Sequence, residues 1–214
     1  MKPLLGNISQ ELTATLTKRS RKREFAPDEE IFAEGDDAVF LPIVVSGRTK
    51  MVHFQESGKE VIIGIFGAGE MFAVPPVIDG KKYPAAALAM EKTQLLLLGR
   101  PEFLQLIKES SEFAFAIIEW MSAMLRDKTA TIQNLATASP EHRVGNVLLK
   151  VVKGEPGFPV RISLRREDIA NMAGLTTETT IRVIRKLAKN GLLTIDHGKI
   201  IIDDDSNLKR LVEG

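Results

Sequence analysis

The chain has 214 residues, 44% hydrophobic and 27% charged, with a net charge of +1 and no cysteine. Such a composition is that of a soluble globular protein with one or two real cores. The cysteine count excludes disulfides, thiolate zinc sites and cysteine-held iron–sulfur clusters, and no apolar run approaches the ~18 residues of a membrane span. The N-terminus lacks a signal-peptide pattern, so the cytoplasm is the expected compartment. The charge is unevenly divided. Residues 140–214 carry 13 Lys and Arg against 10 Asp and Glu, whereas residues 1–139 carry 16 against 18. This modest asymmetry favours an anionic partner for the C-terminal part.

Glycines at 35, 47, 58, 69 and 80 recur every 11 or 12 residues. Between and after them lie short β-prone runs: Phe40–Val45, Lys50–Phe54, Val61–Phe66, Ala85–Met90 and Thr93–Leu98. Evenly spaced strands with glycine turns predict an all-β sandwich or barrel. Gly64, Gly67 and Gly69 are spaced GxxGxG, the wrong order for a dinucleotide fingerprint, and no helix is expected to follow them.

From Pro101 the texture becomes helical. A short segment runs to Lys108, and then Ser110 or Ser111 can cap a long helix reaching about Ala136. On it Ile118, Met121, Leu125, Lys128, Ile132 and Leu135 form a 4-3 seam, apolar except at Lys128. Phe113, Ile117, Trp120 and Met124 make a second row. Two stripes need two surfaces, so one row is expected against the β-domain and the other against a partner copy. Ser139 and Pro140 open another helix ending near Val152. Gly154, Pro156, Gly157 and Pro159 link it to a strand at Val160–Leu164.

The segment DIANMAGLTTETTIR, Asp168 to Arg182, reads as helix, turn and helix. Ile169, Met172 and Ala173 give the first helix an apolar face, and Gly174 stops it in the left-handed conformation. Thr176 caps the second helix, with Glu178 in its first turn. Ile181, Ile184 and Leu187 are expected to face inward. Glu178, Arg182, Arg185, Lys186 and Lys189 share the outer face, the pattern of a helix that enters a DNA major groove. Gly191 ends that helix. Leu193–Ile195 and Lys199–Ile202 then form a hairpin through Asp196-His197-Gly198, a wing. Asp203-Asp204-Asp205 reads as a solvated acidic end.

The order of β-roll, long helix and winged helix-turn-helix resembles the Crp/Fnr family of bacterial transcription regulators from about Phe25 to Ile202. The carrying residues are the Glu34-Gly35-Asp36, Ser46-Gly47 and Gly67-Ala68-Gly69-Glu70 turns, His142-Arg143-Val144, and LRREDIANMAGLTTETTIRVIRKLAKNGLL. The resemblance implies an α+β fold. A β-roll sensor (double-stranded β-helix or jelly roll) fills 1–109, a dimerisation helix 110–137 and a winged helix-turn-helix 138–214. It implies a homodimer on double-stranded DNA, presenting two recognition helices to major grooves ~34 Å apart on an inverted repeat, with RNA polymerase as a further partner. Base contacts fall on Glu178 and Arg182, with Thr177 beside them. A carboxylate accepts from cytosine N4, and a guanidinium donates to guanine O6 and N7; four residues apart, the two can also hold each other. Thr177 stands where many members carry an arginine, which weakens one G·C preference, and Ile181 departs from the small residue common in the Fnr branch. Arg165, Arg166, Thr179, Arg185, His197 and Lys199 are placed for phosphates.

For the sensor, the resemblance implies a small-molecule effector near Gly69, Glu70, Met71, Tyr83, Pro84, Lys128 and Thr129. Members that bind cyclic AMP have Arg-Ser about a dozen residues after a Gly-Glu turn; here Tyr83-Pro84 stands there, so cyclic AMP is disfavoured. Haem stays open through His53 with Met51 or Met71. So does a small anion held by Lys81, Lys82 or Lys128, since a charge in the dimer seam costs stability unless paired or near a ligand. No Ser/His/Asp set, HExxH or P-loop is evident, and His53, His142 and His197 lie in separate elements, so no enzyme activity is expected. The rival reading is a cyclic-nucleotide-binding-like module for protein interaction that has lost DNA contact.

Overall fold

The computed structural model describes residue 4 and residues 8–54, 60–152 and 157–213, with backbone alone at 134–137 and 213. Two compact units divide at Asp127/Lys128. In chain order the first holds α1 (Gln10–Arg19), β1 (Ser20–Phe25), β2 (Glu30–Phe32), β3 (Phe40–Ser46), β4 (Thr49–Phe54), β5 (Glu60–Phe66), α2 (Val74–Asp79), β6 (Ala86–Ala89), β7 (Thr93–Gly99) and α3 (Arg100–Glu109). α4 (Ser111–Thr137) runs through the division. The second unit holds α5 (Pro140–Val152), β8 (Val160–Ile162), α6 (Arg166–Ala173), α7 (Thr177–Lys189), β9 (Thr194–Asp196), β10 (Lys199–Ile202) and α8 (Ser206–Glu213). The fold is α+β, with antiparallel sheets throughout.

Two sheets, ordered β1-β7-β3 and β2-β6-β4-β5, contribute to one core. The glycine spacing marks the turns correctly: Gly35, Gly47, Gly69 and Gly80 all have positive φ, between 72° and 86°. Gly47 admits no side chain in any case, because a Cβ there would lie 2.6 Å from the Lys92 carbonyl. Gly58 lies outside the described residues, as do Gly154 and Pro156. β7 is central in its sheet, and its Leu95, Leu96 and Leu98 are all buried. A strand covered on both faces reads as a continuous apolar run, not an alternating one.

The N-terminal helix is a structural addition to the sequence reading. Ser9 caps α1 through the Leu12 amide at 3.2 Å, and its own amide and hydroxyl donate to the two carboxylate oxygens of Glu112. At the other end Arg19 pairs with Glu109 at 2.7 Å. Leu12 and Leu16, four apart, are buried. β1 was likewise unforeseen: its Ser20-Arg21-Lys22-Arg23-Glu24 run looks too charged for a strand. Charged side chains on an edge strand fit the need to discourage further pairing.

On α4 the two apolar rows separate. Ser110 is the residue that caps the helix, its hydroxyl accepting from the Phe113 amide at 3.1 Å. Phe113, Ile117 and Trp120 are buried in the β-roll core, with Met124 packed against it. Ile118, Met121, Leu125 and Ile132 are 57, 38, 67 and 68% exposed. The Leu135 side chain lies outside the described residues.

In the second unit Val144, Val147, Leu148, Ile169, Ala173, Val183, Ile184 and Leu187 make a helical core closed by Ile200 and Ile202 of the wing sheet, ordered β8-β10-β9. Two expectations need correction. Ile181 is only half-buried; Thr180 and Val183 take the inner face with Ile184 and Leu187. The acidic stretch is not a free end but opens α8. The Ser206 amide and hydroxyl donate to Asp204, and Asp205 pairs with Lys209 at 2.7 Å. Leu208 is fully buried, and α8 packs on α5 at Gly145, where a Cβ would lie 3.1 Å from Val212 and 3.2 Å from Leu211.

Candidate nucleic-acid interface and sensor cradle

The helix-turn-helix is built from local signals. Arg165 opens α6, its amide donating to Asp168 Oδ2 at 2.8 Å. Gly174 closes it at φ 62°, where its amide reaches the Ala170 and Asn171 carbonyls. Thr176 then caps α7, accepting from the Thr179 amide at 3.2 Å. From that cap a hydroxyl chain continues: Thr176 Oγ1 donates to Thr179 Oγ1 at 2.9 Å, and Arg182 Nη2 donates to Thr179 Oγ1 at 3.4 Å. Glu178 and Arg182 are both exposed. They form no ion pair with each other, so the mutual support expected of the pair is replaced by the Thr179–Arg182 contact. Thr177, at the first position of α7, is half-buried.

Two contacts that sequence did not reveal tie α5 to α7 and to the turn before it. Lys186 Nζ lies 2.6 Å from Glu141 Oε1 on α5, and Arg143 Nη1 donates to the Gly174 carbonyl at 3.3 Å. The lysine's hydrogen bond holds the Glu141 carboxyl below its usual range. Long-range pairs of this kind leave no spacing signature.

The residues expected at phosphates are distributed as follows. Arg165, Arg185 and Lys199 are exposed, and Thr179 is half-buried within the hydroxyl chain. Arg166 is half-buried and donates to the Gly198 carbonyl at 3.0 Å, tying α6 to the wing turn; that burial lowers its guanidinium from the ordinary arginine value. His197 is exposed at the wing tip, its Nδ1 2.7 Å from Asp196 Oδ1. Arg161 and Ser163 line a shallow hollow with Lys199 and Ile162. The alternation of buried Val160 and Ile162 with exposed Arg161 is the signal that could have found them.

The sensor expectations need more revision. Gly69 and Glu70 form a tight turn: the Glu70 amide donates to the Gly67 carbonyl at 3.0 Å, and the Gly67 amide to Glu70 Oε2 at 2.9 Å. Contrary to expectation a helix does follow, the six-residue α2. It is entered through Ala73, which is left-handed at φ 55°, and begins Val74-Pro75-Pro76. Met71 and Tyr83 are core side chains, not pocket walls. Tyr83 stacks on Phe32 with centroids 3.7 Å apart and donates its hydroxyl to the Phe40 carbonyl at 2.6 Å. Burial pushes its phenol up to about 12. Pro84 is exposed, while Lys128 and Thr129 belong to the second unit and are exposed on α4. Lys81 and Lys82 pair with Asp79 at 3.3 Å and Asp37 at 3.5 Å.

The haem ligand set does not converge. A bulge between Met51 and Val52 breaks the alternation of β4. Met51 and Met71 are buried in the core, whereas His53 is exposed with its Nδ1 3.0 Å from Glu34 Oε2. Among the described residues no group of three or more His, Cys, Asp or Glu could hold a metal ion. No described helix is long and apolar enough to cross a membrane.

Comparison with known proteins agrees with this architecture. Residues 22–110 match the cyclic nucleotide-binding domain family and residues 142–211 the Crp-like helix-turn-helix domain family. The chain is 26% identical to the cyclic AMP receptor protein of Thermus thermophilus, over 99% of this chain and 97% of that one. Its fold matches that of FixK2 from Bradyrhizobium japonicum (TM-score 0.76, 22% identity, 90% of this chain and 96% of that one). It also matches the c-di-GMP responsive global regulator CLP of Xanthomonas campestris (TM-score 0.74, 21% identity, 92% of this chain and 100% of that one). With a cyclic-nucleotide-binding-type domain followed by a Crp-type DNA-binding domain in one chain, the protein belongs to the Crp/Fnr family of effector-responsive, DNA-binding transcription regulators.

Proposed function

We propose that the protein acts as a homodimer on an inverted-repeat operator, each copy reading one half-site with Glu178 and Arg182. One observation carries the reading: a carboxylate and a guanidinium exposed one turn apart on a helix whose N-terminus is capped and whose inner face is packed. Glu178 accepts from a cytosine N4 amine, and Arg182 donates to guanine N7 and O6. Thr177 contributes no bidentate contact, so one G·C pair per half-site dominates the preference. Arg165, Thr179, Arg185, His197 and Lys199 fix register on phosphates, joined by Arg161, while Arg166 acts through the wing turn it holds.

Dimerisation through Ile118, Met121, Leu125 and Ile132 covers the exposed row of α4. An effector changes DNA affinity only through different affinity for two states of such a dimer. Cyclic AMP is disfavoured as that effector, because Tyr83-Pro84 stands where cyclic AMP-binding members have Arg-Ser. RNA polymerase is the further partner and the cytoplasm the working compartment. Selection of bound sequences from a randomised duplex library, at two salt concentrations, tests the proposal. An inverted repeat with a G·C pair at a fixed position is expected, with affinity falling as salt rises. Enrichment of no repeat would leave the protein-interaction module as the reading.

A further inference from the structure

We infer that the sensor unit's ligand cradle is filled by the chain's own Tyr83, so that no cyclic mononucleotide or dinucleotide seats its phosphate there. The inference concerns how the proposed DNA-binding function is regulated, and only its DNA measurement rests on that reading. A cyclic phosphate is an anion whose free oxygens need backbone amides at a helix N-terminus, a guanidinium, or both. Among its described residues the sensor unit supplies neither at α2 or at Tyr83. Four amides open α2, at Val74, Pro75, Pro76 and Val77, and two of these are prolines without a hydrogen. The residue before them, Ala73, brings a buried methyl group into a left-handed position that glycine would leave open.

By the resemblance to cyclic AMP-binding members of the family, the arginine that takes the phosphate is replaced in this chain by Tyr83. Its ring lies flat against Phe32, at 12° between planes, and its single hydroxyl hydrogen is committed to the Phe40 carbonyl. Nothing on that side chain is left to receive a phosphate. The guanidinium that does reach α2 sits at the opposite end. Arg100 Nε donates to the Val77 carbonyl at 2.9 Å and Nη2 to the Ile78 carbonyl at 3.3 Å. A cation at the carbonyl end and prolines at the amide end are the reverse of an anion site. Lys81 and Lys82 are engaged by Asp79 and Asp37. The cyclic-nucleotide-binding architecture is therefore retained while its phosphate chemistry is replaced by an internal aromatic latch, and DNA binding proceeds without a cyclic nucleotide.

The test is isothermal titration of the full-length protein with cyclic AMP, cyclic GMP and cyclic di-GMP, each to millimolar concentration, paired with DNA-binding titrations with and without each nucleotide. No saturable heat is expected, and DNA affinity should change less than about twofold. Saturable binding of any of the three at micromolar concentration overturns the inference. Tyr83→Phe keeps the ring and removes the hydroxyl. It should lower the melting temperature by about 2–4 °C and leave DNA affinity unchanged; an unaltered melting temperature would mean that Tyr83 is no latch. If the protein bound DNA under no condition, the DNA-binding reading would fail, and the calorimetry would still decide the question of the cradle.

Discussion

Arg182 leans on the hydroxyl of Thr179, at 3.4 Å, and not on the carboxylate of Glu178 one turn away. The two groups proposed to read bases are therefore mechanically separate before DNA arrives. Arg182→Ala should cost about 1–3 kcal/mol of operator affinity and relax preference at one guanine; Glu178→Ala should relax preference at the neighbouring cytosine. Because neither group holds the other, the double variant should lose roughly the sum of the two. Fluorescence anisotropy on a panel of single-base operator variants measures all three. A double variant no worse than Arg182→Ala would show that the pair acts as one unit. Thr179→Val, which keeps the shape and deletes the hydroxyl, should weaken discrimination at the guanine while Thr179→Ser retains it.

The ion pair between Glu141 and Lys186 links α5 to the outer face of α7 within one unit. The Glu141 carboxyl lies below its ordinary value of 4.5, with the Lys186 hydrogen bond as the first cause. Its stabilisation is thus in place above that ordinary value and is lost as pH falls through the lowered one. The lysine is largely exposed, so the pair is worth only about 0.2–1 kcal/mol. Thermal melts of Glu141→Gln should show a small loss at neutral pH that disappears once the wild-type carboxyl is protonated. A deficit persisting in acid would point to lost packing instead of lost charge.

What could be read from the sequence, and what could not, divides by the range of the interaction. Glycine spacing placed Gly35, Gly47, Gly69 and Gly80 at left-handed turns because a turn's requirement is local. The two rows on α4 were legible for the same reason, as helical periodicity assigns Trp120 and Leu125 to different faces. Tyr83 was not. Nothing in KKYPAAALA announces that its ring will meet Phe32, 51 positions earlier, so a core residue read as a pocket residue. The bulge after Met51 likewise sent His53 outward against simple alternation. α8 was a different kind of miss. Leu208, Leu211 and Val212 carry a helical stripe, but the three aspartates before them looked like a chain end when they were a cap.

The exposed row on α4 should behave as a dimer seam. Leu125 and Ile132 are each about two-thirds exposed, and apolar side chains of that size bring about 1.5–3 kcal/mol each when fully buried. Leu125→Glu and Ile132→Glu should give a monomer near 23.6 kDa by light scattering, with wild type at twice that mass. Both variants should lose most of their operator affinity, since a single half-site remains. A monomeric wild type would remove the basis for an inverted repeat. Because the substitutions are on the solvent side of the helix, melting of the β-roll should change little.

At the wing tip His197 and Gly198 have φ of 46° and 77°, and they are the two central residues between paired Asp196 and Lys199. Two successive positive φ values are what a two-residue hairpin of type I′ demands, and Asn-Gly satisfies it best. His197→Asn should therefore preserve or slightly raise stability, while removing the imidazole that is proposed to approach a phosphate. Its affinity should fall by a similar factor on every operator variant, because a backbone contact carries no sequence information. Gly198→Ala makes the useful contrast. No atom lies within 4 Å of the added Cβ, so its cost is purely the left-handed backbone, about 1 kcal/mol. It should lower both stability and affinity while leaving base preference intact. If His197→Asn altered preference at a single base pair, the wing would be reading a groove edge and not the phosphate backbone.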